Sequence, residues 1–221
     1  MILSGRVFVN DRKVDKPGTR VDPGSDVEVR GKTTEYVSRG GEKLEAALRA
    51  FDIDLVDRTG LDVGASTGGF TDCMLRHGAR KVYAIDVGYG QLAWSLRTDP
   101  RVVVIERTNI RYARPDIIPE KADVAAVDVS FISLRLVLEP VSALTADDGT
   151  LVTLIKPQFE AGREQVGKGG VVKEPDVHQQ VVDSIVDFAV SIGLVHGGTI
   201  ESPLLGPAGN REFLACFLKR A

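Results

Sequence analysis

From residue 59 onward, short apolar runs alternate with segments of helical periodicity, and that alternation leaves few folds open. Strands are read at 59–65, 81–87, 102–106, 123–129 and 149–156, with helical segments at 70–77, 91–97 and 134–144 between them. Strands that alternate with helices in this way build βαβ units and a mostly parallel, doubly wound sheet. Pro175 then opens a helix whose apolar positions Val177, Val181, Val182, Ile185, Phe188, Ala189 and Ile192 keep helical spacing, and Gly193 stops it. Two further strands, about 195–201 and 212–218, complete the pattern.

The first 31 residues read differently. "RVFVNDRKV" alternates around Asn10-Asp11, a hairpin turn pair, and "KPGTRV" and "DPGSDVEV" add turn signals before another short strand. A module this small needs help to be stable. Residues 32–37 read as a polar link, and a second domain is expected over 38–221, opening with a helix on which Leu44, Leu48 and Phe51 form an apolar stripe with Lys43 at its edge. At 221 residues the chain suits one α/β domain and a small appendage. Two cysteines, Cys73 and Cys216, make no disulfide framework, and no apolar run approaches membrane-spanning length, so a soluble cytoplasmic protein is expected. The net charge of −3 does not advertise nucleic-acid binding. Basic residues do cluster, at Arg30, Lys32, Arg39 and Lys43 and again at Arg97, Arg101, Arg107, Arg111 and Arg114, but such clusters are read first as solvated faces.

The chemistry concentrates in "LDVGASTGGFTD", residues 61–72, where a strand runs through a glycine-rich turn into a helix. A phosphate-binding P-loop needs Lys then Ser or Thr after its last glycine, and Phe70 and Thr71 follow Gly69 instead. Gly64-Ala65-Ser66-Thr67-Gly68 matches a nucleophile elbow literally, yet only about 60 residues precede it, too few for that fold's earlier strands. A dinucleotide loop would place glycine where Ser66 stands. The remaining reading is S-adenosylmethionine, with Asp62 ahead of a turn of small residues. Asp86, about 20 residues on, is placed to hydrogen-bond ribose hydroxyls. A dinucleotide shares that acid, so the loop alone leaves the two open.

The second half narrows the choice. "VDVSF" puts Asp128 at the end of one strand, "LVTLIKPQF" puts Lys156 at the end of the next, and "GNREF" puts Glu212 at the start of the last. Singly each reads as a solvated charge. Together with Lys43 they stand near element ends around the expected ligand edge of an open sheet.

The strings "SRGGEKL", "DVGASTGGFTD", "DVGYGQLAWSLR", "ERTN", "DVSFISL", "IKPQFE", "VGKGGVV" and "GPAGNREF", in that order, cover nearly the whole chain. In them the sequence resembles the hemolysin A (TlyA) family of ribosomal RNA 2′-O-ribose methyltransferases, within the FtsJ-like group. The resemblance implies a seven-stranded, mostly parallel Rossmann-like sheet and S-adenosylmethionine as cofactor, with ribosomal RNA or ribosomal subunits as partner. It implies a catalytic tetrad of Lys43, Asp128, Lys156 and Glu212. It also implies cofactor contacts at Asp62, at Gly64, Ala65, Ser66, Thr67, Gly68, Gly69 and Phe70, at Asp86 and Val87, and at Asn109, with no metal. Residues 1–31 match only the β-rich half of the family's RNA-binding module, with "ILSG" as the remnant of a helix, so weak autonomous RNA binding is expected. The pore suggested by the family's older name finds no spanning segment in the sequence.

A ribose hydroxyl is a poor acid, so its proton must leave as its oxygen attacks. An ammonium cannot accept that proton, and burial beside a second cation favours the neutral amine. Lys156 is therefore expected as base, Lys43 as its charged neighbour, Glu212 as positioner, and Asp128 to orient Lys156. Base-amino methylation is the nearest rival, but Asp128-Val129-Ser130-Phe131 lacks that chemistry's prolines. A non-catalytic RNA-binding protein on the same fold is the other. Cys73 and His77 share a helix face at metal-ligand spacing without a second pair, and core packing is preferred there. His178 and His196 are read as structural.

Overall fold

A computed structural model describes residues 2, 7–16, 18–29 and 34–220. Arg30, Lys32 and most of the "ILSG" segment lie outside the described residues. The chain divides into two compact units, Met1–Glu35 and Tyr36–Ala221.

The first unit holds three short strands, β1 (Val7–Val9), β2 (Arg12–Val14) and β3 (Val27–Val29), in an antiparallel sheet of order β2-β1-β3. Asn10 and Asp11 both adopt positive φ, 47° and 63°, which matches the twist of a two-residue hairpin. The Asn10 side chain accepts from the Asp26 amide at 2.9 Å, fixing β3 beside the hairpin.

The second unit opens with α1 (Gly40–Ala50) and then alternates: β4 (Thr59–Val63), α2 (Gly69–Arg76), β5 (Lys81–Ile85), α3 (Trp94–Arg97), β6 (Val102–Ile105), β7 (Ala122–Val127), α4 (Leu138–Leu144), β8 (Thr145–Ile155), α5 (Pro157–Glu160), α6 (Pro175–Ser191), β9 (Leu194–Glu201) and β10 (Phe213–Lys219). The seven strands order as β6-β5-β4-β7-β8-β10-β9, parallel from β6 to β8 with β10 antiparallel to both of its neighbours. This is the doubly wound, mostly parallel sheet that the alternation implied.

Successive side chains of a strand point to opposite faces, and both faces here are covered, so the strands read as nearly unbroken apolar runs. Ala125 and Val127 of β7 join Leu61, Tyr83, Leu151 and Phe217 under α4 and α6. Val124 and Ala126 join Val82, Val152 and Leu214 under α1 and α2. Tyr36 is buried with this second layer, and the Val37 amide donates to Asp72 Oδ2 at 2.8 Å.

Two helical segments differ from the sequence reading. The segment read at 91–97 is helical only over Trp94–Arg97, because Gly88 and Gly90 extend the preceding turn and Leu92 is drawn in against Gly68. The segment read at 134–144 divides into a 3-10 turn at Leu134–Leu136 and α4, with Pro140 unable to donate within the new helix's first turn. Among the described residues no helix is long and apolar enough to cross a membrane.

Candidate active site

The sheet reverses direction at β4. The chain winds outward through β5 and β6, then returns to β7 on the other side, and ligands of open α/β sheets bind at the carboxyl ends beside such a switch. Gly64, Asp86, Asp128 and Lys156 each follow the carboxyl end of a parallel strand. Because β10 runs antiparallel, its start brings Glu212 to that same edge.

The glycine-rich turn is stapled to its own strand. Asp62 Oδ2 accepts from the Thr71 amide at 2.9 Å and the Thr71 hydroxyl at 2.6 Å, tying β4 to the first turn of α2. Asp62 is fully buried and its other oxygen, Oδ1, has no partner. That burial pushes the carboxyl up to about 7, against the pull of the two Thr71 bonds. Gly64 has φ of 85°, and a Cβ there would lie 2.3 Å from the Asp128 carbonyl oxygen. Gly68 has φ of 96°, and a Cβ there would meet Leu96 at 2.3 Å and Leu92 at 2.8 Å. Both glycines therefore make room for the protein's own chain.

Two adjoining clefts open over this edge. One, of 310 Å³, is lined by Asp62, the turn, and all of Lys43, Asp128, Lys156 and Glu212. The other, of 820 Å³, runs past Asp86, Val87 and Asn109, and shares Gly64, Ser66 and Asp128 with the first. Every site residue read from the sequence, Gly68 excepted, lines one or the other. Asp86 is more occupied than expected: Oδ2 accepts from the Ser66 amide at 2.7 Å and Oδ1 from the Gly88 amide at 2.6 Å, so it also braces the turn. The Asn109 side-chain oxygen caps the next 3-10 turn by accepting from the Arg111 amide.

The four charges form two ion pairs. Lys43 Nζ donates to Glu212 Oε2 at 2.5 Å, with both side chains buried. Lys156 Nζ lies 2.5 Å from Asp128 Oδ1 and donates to Ser130 Oγ at 2.8 Å. Asp128 therefore pairs with Lys156, whereas Glu212 pairs with Lys43. Glu212 Oε1 is buried without a partner, and Gly206 makes room for it, since a Cβ there would lie 2.0 Å away. Ser130 was overlooked, although "VDVSF" contains it two residues past Asp128. Ser38 and Arg39, the first residues of "SRGGEKL", also line the first cleft ahead of α1 and were not among the expected site residues. The pair at Cys73 and His77 is local: the His77 ring nitrogen lies 2.9 Å from the Cys73 carbonyl oxygen and 3.6 Å from its sulfur. His178 Nε2 meets the Val172 carbonyl at 2.9 Å, and His196 Nε2 meets the Thr199 hydroxyl at 2.9 Å.

The sequence profile of FtsJ-like methyltransferases matches residues 36–219. The chain belongs to that family. Among relatives of this FtsJ-like methyltransferase, a candidate rRNA methyltransferase of Bacillus subtilis, YqxC, is 49% identical over 214 residues, covering 96% of this chain and 76% of its own length. The 16S/23S rRNA (cytidine-2′-O)-methyltransferase TlyA of Mycobacterium tuberculosis is 46% identical over 214 residues, covering 96% of this chain and 80% of its own. A solved structure of a candidate hemolysin from Streptococcus thermophilus superposes with a TM-score of 0.86 at 46% identity, covering 99% of this chain and 80% of that one.

Proposed function

We propose that this FtsJ-like methyltransferase transfers a methyl group from S-adenosylmethionine to the 2′-hydroxyl of a ribose in ribosomal RNA. The observation that carries this reading is the paired arrangement of Lys43–Glu212 and Lys156–Asp128 in one cleft, directly beside the glycine-rich turn. When bound, S-adenosylmethionine supplies an electrophilic methyl group on a sulfonium centre.

The residues present suit that cofactor. Asp62 is among the residues around the first cleft, and its buried, unpartnered Oδ1 needs a donor or a cation, which the amino-acid end of the molecule carries. Asp86, Val87 and Asn109 line a second cleft long enough for the nucleoside end. The carboxylate oxygens of Asp86 keep acceptor capacity for ribose hydroxyls beyond the two amides already bound.

Lys156 takes the proton of the attacking hydroxyl. Asp128 and Ser130 hold its amine in one direction, and alignment of this kind supplies much of the rate. Lys156 must itself shed a proton first, and the exposed Ser130 hydroxyl gives that proton an exit to solvent. Glu212 fixes the Lys43 amine in the cleft wall, in a buried setting. Phe131, 90% exposed at the mouth, and Arg39 and Arg111 beside the clefts offer a stacking face and phosphate partners of the kind RNA uses. The small sheet of residues 1–31 is assigned to an RNA-binding module, and an enzyme acting on ribosomal RNA is placed in the cytoplasm.

The test is incubation with radiolabelled S-adenosylmethionine and ribosomal subunits or naked ribosomal RNA, followed by mapping of the label. A label on ribose, at a linkage that resists alkaline cleavage and disappears with Lys156→Ala, supports the reading. Label on a base amine overturns it.

A further inference from the structure

We propose that Glu160 is a positioning residue whose carboxylate holds Lys156 against Asp128 and Ser130, an assignment that rests on the methyl-transfer reading of Lys156. β7 and β8 are parallel neighbours, with Val127 opposite Thr153, so the segments leaving them start side by side. The segment after β7 carries Asp128, Ser130 and Phe131 and has no regular structure before Leu134. Phe131 adopts φ of 63°, a left-handed conformation that is rare for a bulky residue and persists only where the surroundings enforce it.

The enforcement comes from the segment after β8. The Lys156 carbonyl accepts from the Phe159 amide at 2.9 Å, and the Pro157 carbonyl accepts from the Ala161 amide at 2.9 Å, so Lys156 and Glu160 sit on one hydrogen-bonded turn. From one end of that turn Lys156 reaches Asp128 and Ser130. From the other, Glu160 Oε2 accepts from the Ser133 hydroxyl at 2.6 Å and Oε1 from the Leu134 amide at 2.7 Å. Between them the Phe159 ring packs on the Phe131 ring, centroids 5.0 Å apart. Bonds to an ionised acceptor are among the stronger ones available, and both carboxylate oxygens of Glu160 are used. α5 is thus a bracket with two prongs, and the position of the Lys156 amine relative to Asp128 depends on the Glu160 prong as well as its own.

The prediction is read in two ways. Brief treatment of the folded protein with acetic anhydride, followed by mass spectrometry, reports how firmly each lysine is held. Glu160→Ala should raise labelling at Lys156 several-fold and leave Lys43 and Lys219 unchanged. In the methylation assay the same variant should lose kcat by roughly 10- to 100-fold, the scale of a misplaced catalytic group. KM for RNA and cofactor affinity should stay within about twofold of the parent protein. Glu160→Gln keeps an acceptor for Leu134 and a donor for Ser133, and should recover part of both readouts. Should Glu160→Ala fail to fold, Ser133→Ala cuts one arm of the same prong and should shift Lys156 labelling in the same direction. Unchanged Lys156 labelling in a folded variant overturns the proposal, as does an equal rise at Lys43 and Lys219, which would mean general loosening. Labelling requires no methyl transfer, so a failure of the functional reading and a failure of the bracket show up separately.

Discussion

Lys43 and Lys156 make contacts of equal length with their carboxylates, 2.5 Å each, in the same cleft, yet the two pairs are built for different work. The Lys43–Glu212 pair is sealed, with side chains 8% and 0% exposed, and it joins α1 to the last strand. Lys156 is as buried as Lys43, but its partner Asp128 is 25% exposed and an exposed serine completes its shell. The first pair is closed to water on both sides, whereas the second is open on its carboxylate side. The two lysines are equally buried, so what separates the pairs is access around the carboxylate, and on the proposed reading that access favours Lys156 as the base.

The strongest way to break this comparison is at Lys156. Lys156→Ala should lower turnover by about 10²–10⁴-fold while calorimetric cofactor affinity changes little. Lys156→Arg should be no better, since arginine stays protonated. An active arginine variant would erase the distinction between the pairs.

Lys43→Met comes next, and its signature is stability. Removing one partner of a buried pair strands the other charge, at a cost of about 3–5 kcal/mol. Denaturant unfolding should show a loss of that order, whereas Asp128→Asn, acting on the open pair, should cost clearly less. Equal losses would show that both pairs are structural.

Asp62 sharpens the contrast from the cofactor side. Its carboxyl stands near 7 when folded against 3.8 ordinarily, so the native chain takes up a proton that the unfolded chain does not in that window. Stability of the ligand-free protein should fall as pH rises from about 4 to 7 on this account, and Asp62→Asn should flatten that slope. Affinity for a ligand that presents a cation to Asp62 should run the other way, weakening by up to about tenfold per pH unit below 7. Isothermal titrations at pH 6, 7 and 8 on both proteins decide it; a pH-independent affinity in the parent would remove Asp62 from the cofactor contacts.

The smallest effect is expected at the opposite end of the sheet. Glu120 accepts from Arg80, Lys81 and Tyr83, and these bonds, Lys81's foremost, hold its carboxyl down at about 2. Its contribution to stability is present above the ordinary carboxylate value and lost as pH falls toward 2. Glu120→Gln should therefore soften acid unfolding and leave methylation untouched. A loss of activity would mean that the two ends of the sheet are coupled.

The alternation of β4 to β8 with helices was legible because parallel strands buried on both faces leave unbroken apolar runs such as "LVTLI". The ligand edge was legible because charges at strand ends stand out against those runs. What could not be read was partnership. Lys43 and Glu212 are 169 positions apart, and nothing local in either segment says that they meet. What Gly68 makes room for was hidden for the same reason, since the side chains it clears, Leu92 and Leu96, lie in a later turn. Glu160 gave no signal at all: a glutamate closing a four-residue helix looks like any surface acid until Ser133 and Leu134 are found beside it.

The order of the strands has a consequence for how the chain is made. β10 lies between β8 and β9, and β9 has no other partner in the sheet. As the chain emerges during synthesis, β9 must wait unpaired until β10 arrives to fill the gap, and β8 meanwhile presents an open edge. Open edges invite pairing with other chains, which leaves the nascent chain vulnerable until β10 pairs. The same late insertion delivers Glu212 to Lys43. Pairing of β10 covers the free edge of β8 and completes the Lys43–Glu212 pair together, so a copy without β10 has an uncovered inner strand and an incomplete cleft at once.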